Sequence, residues 1–257
     1  MYEALMIAAT GLQNQQRRLD TIANNVANVN STAFKSARLD FKDALYTAGI
    51  VPARPRTPEG NQQKGHGVMI AGIMKDYSMG AIQTTERQFD AAIEGEGFFE
   101  LGDANGNLVY TRNGSFNLSD EADGTFLVNG DGLYVHDNNG NRIQVPYGTD
   151  TIGIDTKGGV TFTAFGEETA TTLGVYTFRN ITGLLSTGNG TYSESPASGE
   201  KLPADDVVIR QGALEGSNVN LAEEMTRMIR TQRAFQLASR ALTTADEMEG
   251  IANNMKR

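Results

Sequence analysis

Few side chains in this 257-residue chain are placed to do chemistry. His66 and His136 are the only histidines, and each stands among Gly or Asn residues. A Ser–His–Asp relay needs a histidine between a nucleophile and an orienting carboxylate. Nothing in the sequence sets up that arrangement, so both read as loop histidines. "DANGN" from Asp103 and "DNNGN" from Asp137 open like calcium loops. The glycine such a loop needs at its sixth position is Leu108 in one and Arg142 in the other. The glutamate needed at the twelfth is Gly114 or Gly148, so both read as hairpin turns. "GEGFF" lacks the helix that follows a dinucleotide-binding glycine loop. With no cysteine, disulfides, Cys-based metal sites and thiol catalysis are excluded. Carboxylates are plentiful, but abundance alone marks no acid–base pair. The expectation is a protein that is not an enzyme, with no catalytic residue, no metal site and no cofactor.

The charge distribution says where such a chain could meet partners. The formal charge of -9 is concentrated in residues 71–212, which hold eight basic and twenty acidic side chains. Residues 1–30 carry two of each sign and residues 213–257 six of each, while 31–70 carry six basic and three acidic. An acidic body argues against nucleic-acid binding. Charge-balanced ends suit packing against copies of themselves. No run approaches the roughly 20 apolar residues of a membrane span. The first apolar stretch runs into "QNQQRRLD" rather than a cleavage site, so no classical signal peptide is expected.

Glycine and proline mark the elements. All six prolines lie between Pro52 and Pro203, and of 29 glycines only Gly11, Gly216 and Gly250 fall in the two ends. Both residues disfavour helix interiors, so long helices belong at the ends. Stepping by three and four, the first arm gives Leu5, Ala8, Leu12, Gln15, Leu19, Ile22, Val26 and Val29, a heptad track with one polar member. The last arm gives Leu221, Met225, Met228, Gln232, Phe235, Ala238, Leu242, Ala245, Met248, Ala252 and Met255. Asn218 or Asn220 can cap it, and Glu223 and Glu224 suit its first turn. Two readings fit the stripes. They form a helical hairpin packed on the chain's own β domain, or a seam for other subunits, where small and flexible side chains allow close packing.

Between the arms, Asn-Gly and Asp-Gly pairs recur in "ANGN", "RNGS", "ADGT", "NGDG" and "NNGN", separated by short apolar runs such as "GFFEL" and "TFLV". Such loops favour hairpin turns. An antiparallel meander or barrel-like β domain is expected from about Gly72 to Val208. Residues 47–67, "TAGIVPARPRTPEGNQQKGHG", hold three prolines and read as extended or loop-like.

At this point the residues resemble a known family. "GLQNQQRRLDTIANNVANVNSTAFK", with Asn24, Asn25, Asn28, Phe34 and Lys35, is similar to the N-terminal signature of bacterial flagellar rod and hook proteins. "GEGFFEL", with Gly97, Phe98 and Phe99, and "YTRNGSFNLSDEADGTFLVNGDGLYV" resemble the start of their β domain. "GALEGSNVNLAEEMTRMIRTQRAFQLASRALTTADEM", with Ser217, Asn218, Val219 and Asn220, resembles their C-terminal signature. The size of the middle domain resembles the distal rod type, and the 47–67 stretch resembles the extra segment of its main member. Ala33 stands where the family commonly has Gly, which suggests a turn made differently.

The resemblance implies an α+β fold in which both terminal helices form one coiled-coil-like domain with an inserted antiparallel all-β domain. It implies an assembly domain of residues 1–30 plus 213–257, a connecting and stiffening segment of 31–71, and an outer β domain of 72–212. It also implies a structural subunit polymerising helically into a rigid hollow drive shaft that transmits torque and conducts exported subunits. The heptad positions of both arms, through Met248, would be its subunit-packing residues. Partners would be copies of itself, proximal rod proteins, hook protein, rod cap, ring bushing proteins and the flagellar export apparatus, without nucleic acid or membrane insertion. The location implied is the basal body, reached without a cleaved signal. Other readings are a minor rod or hook-type protein, a secreted β-domain binder with a helical stalk, and a cell-wall hydrolase.

Overall fold

The computed structural model describes residues 2–43, 47–48, 63–64, 67–103, 106–204 and 206–255. The protein is α+β, and every strand pairing among these residues is antiparallel. The chain divides into two compact units. One comprises Met1–Ala27, Ala37–Asp76 and Asn220–Arg257, and the other Asn28–Ser36 and Tyr77–Val219. Of the expected connector 31–71, residues 31–36 therefore cluster with the β unit and 37–71 with the helices.

The helical unit is built on α1 (Tyr2–Ala27) and α2 (Leu221–Asn254). Asn220 begins α2, its Oδ1 accepting the backbone N–H groups of Ala222 and Glu223 at 3.1 and 3.3 Å. Those are two of the donors a helix start leaves unpaired. The end of α1 lies at the start of α2, where Asn25 Nδ2 reaches Glu224 Oε2 at 3.4 Å. Since the helices also pack along each other, they run antiparallel. Beside them lies a hairpin of Ala37–Asp43 with Val68–Lys75, with a bulge between Asp40 and Phe41. A two-stranded ribbon alone is marginal in water. Here Asn14 Nδ2 donates to Val68 O at 2.5 Å and the Arg18 guanidinium lies over the Phe41 ring at 5.9 Å. Further out, Thr47 pairs with Lys64 and Ala48 with Gln63. Asp43 to Thr47 and Val68 to Lys64 are steps of four, so both ladders share one register. Residues 49–62, 65 and 66, with the three prolines and His66, lie outside the described residues.

The β unit centres on Phe98–Gly102, which is buried on both faces. Alternation along a strand sends neighbouring side chains opposite ways. Phe99 and Leu101 enter one core with Phe116, Val135, Phe162 and Ile209. Phe98 enters another with Tyr110, Tyr176, Phe178, Leu184 and Tyr192. Edge-to-face pairs fix the rings, Phe99 on Phe116 at 5.2 Å and Tyr110 on Phe178 at 4.9 Å. The topology is not a simple meander, because Val175–Phe178 pairs with Phe98–Gly102 and Thr191–Ser193 with Leu108–Thr111. Nor does strand structure stop at Val208. Val208–Gln211 pairs with Ala91–Glu94, and Ala213–Glu215 with Ile82–Thr84.

The turn motifs mostly behave as expected. At "NGDG" the Asn129 side chain accepts the N–H groups of Asp131 and Leu133, with Gly132 at φ 79°. "RNGS" is different. A Cβ on Gly114 would lie 1.7 Å from Ala91 O, so this glycine permits a close backbone approach rather than a turn.

Candidate assembly surface and its fasteners

The three signature stretches meet inside the β unit. Lys35 and Glu215 are each only 1% exposed, and Lys35 Nζ lies 2.7 Å from Glu215 Oε1. Arg112, 4% exposed, brings its Nε to 2.7 Å from Glu215 Oε2. The Gly80 N–H donates to Oε1 at 2.8 Å, and Lys35 Nζ also donates to Ser78 O at 2.7 Å. The Arg112 guanidinium donates onward to the carbonyls of Ile93 and Gly95. One buried carboxylate thus answers two buried cations, and the remaining donors find carbonyls, as a buried charge requires. Burial pushes the Glu215 carboxyl up, but Arg112, Lys35 and the Gly80 N–H outweigh it and hold it below the ordinary carboxylate range.

Local backbone brings these groups together. Ser31 N–H donates to Asn28 O at 3.1 Å to close the turn after α1. Ala33 follows at φ 54°, buried, with its N–H on Glu215 O at 2.8 Å. The turn is therefore not made differently for want of glycine; Ala33 itself takes the left-handed conformation. Asn218 does not cap α2. Its Oδ1 accepts Ser36 N–H at 2.8 Å and its Nδ2 donates to Ser78 O at 3.2 Å.

In the helical unit the corresponding fastener is Asn25, 1% exposed. Its side chain both accepts from Ala37 N and donates to Ala37 O, each at 2.9 Å. This copies a ladder pairing with a side-chain amide. Glu224, 4% exposed, accepts from Asn25 and from Arg227.

The seam positions divide. On α1, Ile22 is buried and Ala8, Leu12, Gln15, Leu19 and Val26 are half-buried, whereas Val29 falls past the helix end, in the turn that follows Ala27. The Leu5 and Ala252 side chains lie outside what is described. On α2, Met228, Phe235, Ala238, Leu242 and Ala245 are half-buried, whereas Leu221, Met225, Gln232 and Met248 are exposed. Two buried members of that face, Glu224 and Thr231, are absent from the heptad track. A 3.5-residue repeat drifts on a 3.6-residue helix. Large apolar side chains of α2 nevertheless stay exposed, Ile229, Leu237, Ile251 and Met255 at 53%, 66%, 60% and 81%, interleaved with exposed Arg233 and Arg240. Several large apolar side chains exposed along one helix point to an interaction surface.

Gly97, Phe98 and Phe99 belong to the β unit's interior. A Cβ on Gly97 would sit 3.0 Å from Val175. His136 is not a loop residue but is 7% exposed, its Nδ1 3.6 Å from Glu100 Oε1, with Lys201 ion-paired to the other oxygen. Burial pushes the Glu100 carboxyl up, and His136 and Lys201 bring it below its usual range. Asp137 spends its Oδ1 on the N–H groups of Asn139 and Asn141, each at 2.8 Å, closing its own turn. Among the described residues no helix is long and apolar enough to cross a membrane.

Sequence reasoning missed Glu215 and Arg112, and read Glu224 only as a first-turn carboxylate. One signal was available: Ala213 and Glu215 share a strand face by alternation, and that face is buried.

Comparison with known proteins places these segments. Residues 5–35 match the family described as flagella basal body rod protein. Residues 92–162 match the flagellar hook protein FlgE/F/G D1 domain, and residues 210–255 the C-terminal region of flagellar basal body rod FlgEFG proteins. The chain is 38% identical to the flagellar basal-body rod protein FlgG of Borreliella burgdorferi, with 100% of each chain covered. It is 38% identical to that of Agrobacterium fabrum over 98% of this chain and 99% of the relative. It is 35% identical to that of Bacillus subtilis, with 100% of each covered.

Proposed function

Because the chain belongs to the flagellar basal-body rod family of FlgG-type proteins and is a structural subunit of that rod, we propose that its terminal helices are the device that polymerises it. The observation that carries this reading is the set of large apolar side chains left more than half exposed on α2, Ile229, Leu237, Ile251 and Met255. Burying it against neighbouring copies contributes about 25 cal/mol per Å2 of apolar surface. A head-to-tail contact that does not close yields an open helical polymer, the geometry of a shaft. The assembly domain of this reading is residues 1–30 with 213–257, coiled-coil-like between copies, and its outer β domain is residues 72–212.

In this reading the shaft is rigid and hollow, transmits torque to the hook and conducts exported subunits. The 47–67 segment stiffens it through contacts with neighbouring β domains. Its neighbours are proximal rod proteins, hook protein, rod cap and ring bushing proteins. The subunit travels through the flagellar export apparatus without a cleaved signal.

The test is electron microscopy of the full chain as concentration rises, beside the L237E/M248E variant. Tubes from the parent and none from a folded variant support the reading. Equal polymerisation of both sinks it.

A further inference from the structure

The helices of the antiparallel pair are unequal. α1 has 26 residues and α2 has 34, and their paired ends coincide at Asn25 and Glu224. At 1.5 Å per residue, the seven further residues carry α2 about 10 Å past the start of α1. Exposure agrees: the last half-buried residue of α2 is Ala245, and from Asp246 to Met255 every described side chain is exposed. Residues 246–255 carry three acids and no base. Positions 247, 248, 251 and 255 share one helix face. That face therefore presents Glu247 with Met248, Ile251 and Met255. Lys256 and Arg257 lie outside the described residues.

The other end of the same unit has the opposite character. A groove of about 210 Å3 lies between α1, the hairpin strand Ala37–Asp43 and the start of α2. Buried Ile22 and half-buried Leu39 supply its apolar lining, and Arg18, Arg38 and Arg227 its positive charge. Two carboxylates also line it. Glu224 is committed to Asn25 and Arg227, while Asp40 is exposed. Arg38 is exposed and has no partner among the described residues. An Arg beside apolar surface suits a carboxylate carried on an aliphatic segment.

We propose that the groove of one copy receives the overhanging end of α2 from the next, with Glu247 facing Arg38 and the Met248–Ile251 side chains entering over Ile22 and Leu39. The proposal rests on the polymerising role given above and names its contact. Charge complementarity argues for the occupant, since one face of the overhang sets Glu247 beside Met248 and Ile251 where the groove sets Arg38 beside Ile22 and Leu39. Groove and overhang sit at opposite ends of one helix pair, so the contact is head-to-tail and leaves a free groove and a free overhang at the two ends of any row. It repeats without closing.

The chain has no cysteine, which makes the contact testable by disulfide trapping. Full-length R38C and E247C chains are mixed, polymerised and oxidised. The control pairs R38C with E167C, a strand position of the β unit. A disulfide forms readily only where Cα atoms come within about 7 Å. The expected result is R38C–E247C dimer about tenfold above the control, a yield ratio set by proximity. Polymers that form without this cross-link overturn the contact and leave the polymerising role standing. Absence of both polymer and cross-link at any concentration overturns both. As a second readout, R38E raises the concentration needed for polymerisation roughly two- to fivefold, and R38E/E247R in one chain restores it. Failure of the swap to restore assembly, with both proteins folded, counts against the pairing.

Discussion

Lys35 and Glu215, 180 positions apart in the chain, form an ion pair at 2.7 Å with no exposure of either side chain. Arg112 holds the second carboxylate oxygen. Removing the shared anion strands two buried cations. E215Q is expected to cost about 3–5 kcal/mol of β-unit stability, measured by denaturant unfolding. K35M should cost less, since Glu215 keeps Arg112 and the Gly80 N–H. Equal losses would refute Glu215 as the hub.

Acid should reach the same place. Glu215 and Glu100 both titrate below their ordinary value of 4.5 in the folded protein. Between folded and unfolded values the unfolded chain binds more protons, so stability falls as pH falls. Their contribution is complete above about pH 5 and disappears as pH drops through the folded values. Unfolding midpoints measured from pH 7 downward should hold level and then fall. A rise in stability below pH 4.5 would contradict the assignment.

Asn25 serves the Ala37 backbone on the edge away from its ladder partner Lys75. N25A leaves Ala37 N–H and C=O without it and removes a donor from Glu224. Each buried group left unpaired costs about 1–3 kcal/mol. The loss should show as lower thermal stability of the helical signal, and N25D should restore only the acceptor half.

Ala33 adopts φ 54° without being glycine. A33G gains about 1 kcal/mol by relief of the left-handed conformation and loses roughly as much with a buried methyl. The net change should be near zero. A33V adds β-branched strain in a buried turn and should destabilise by about 2 kcal/mol or more. Calorimetry of the pair separates them, and a tolerated valine would disprove the turn geometry.

L237E and M248E alter exposed side chains of α2. Surface changes of this kind fall within about 0.5 kcal/mol in the isolated subunit. Polymerisation should nevertheless be lost. A variant that melts early instead would show that these residues pack within the chain.

The ends of this molecule are legible in its sequence because glycine, proline and heptad spacing are local signals. The placement of Asn220 as cap and of Phe98 and Phe99 in a strand follows from residue type. Lys35, Arg112 and Glu215 escape such reading, since charged residues are assigned to the surface by type and only long-range folding joins them. His136 fails for the same reason: its partner Glu100, which also holds Lys201, is distant in sequence. Gly114 looks like a turn glycine because nothing local announces the carbonyl of Ala91.

The charge knot also imposes an order in time. A chain that arrives N-terminus first presents Lys35, then Arg112, and only much later Glu215. Until then, burying the first two means burying cations without their counterion. The β unit therefore cannot close early around an incomplete chain; its latch is delivered with the strand just ahead of α2.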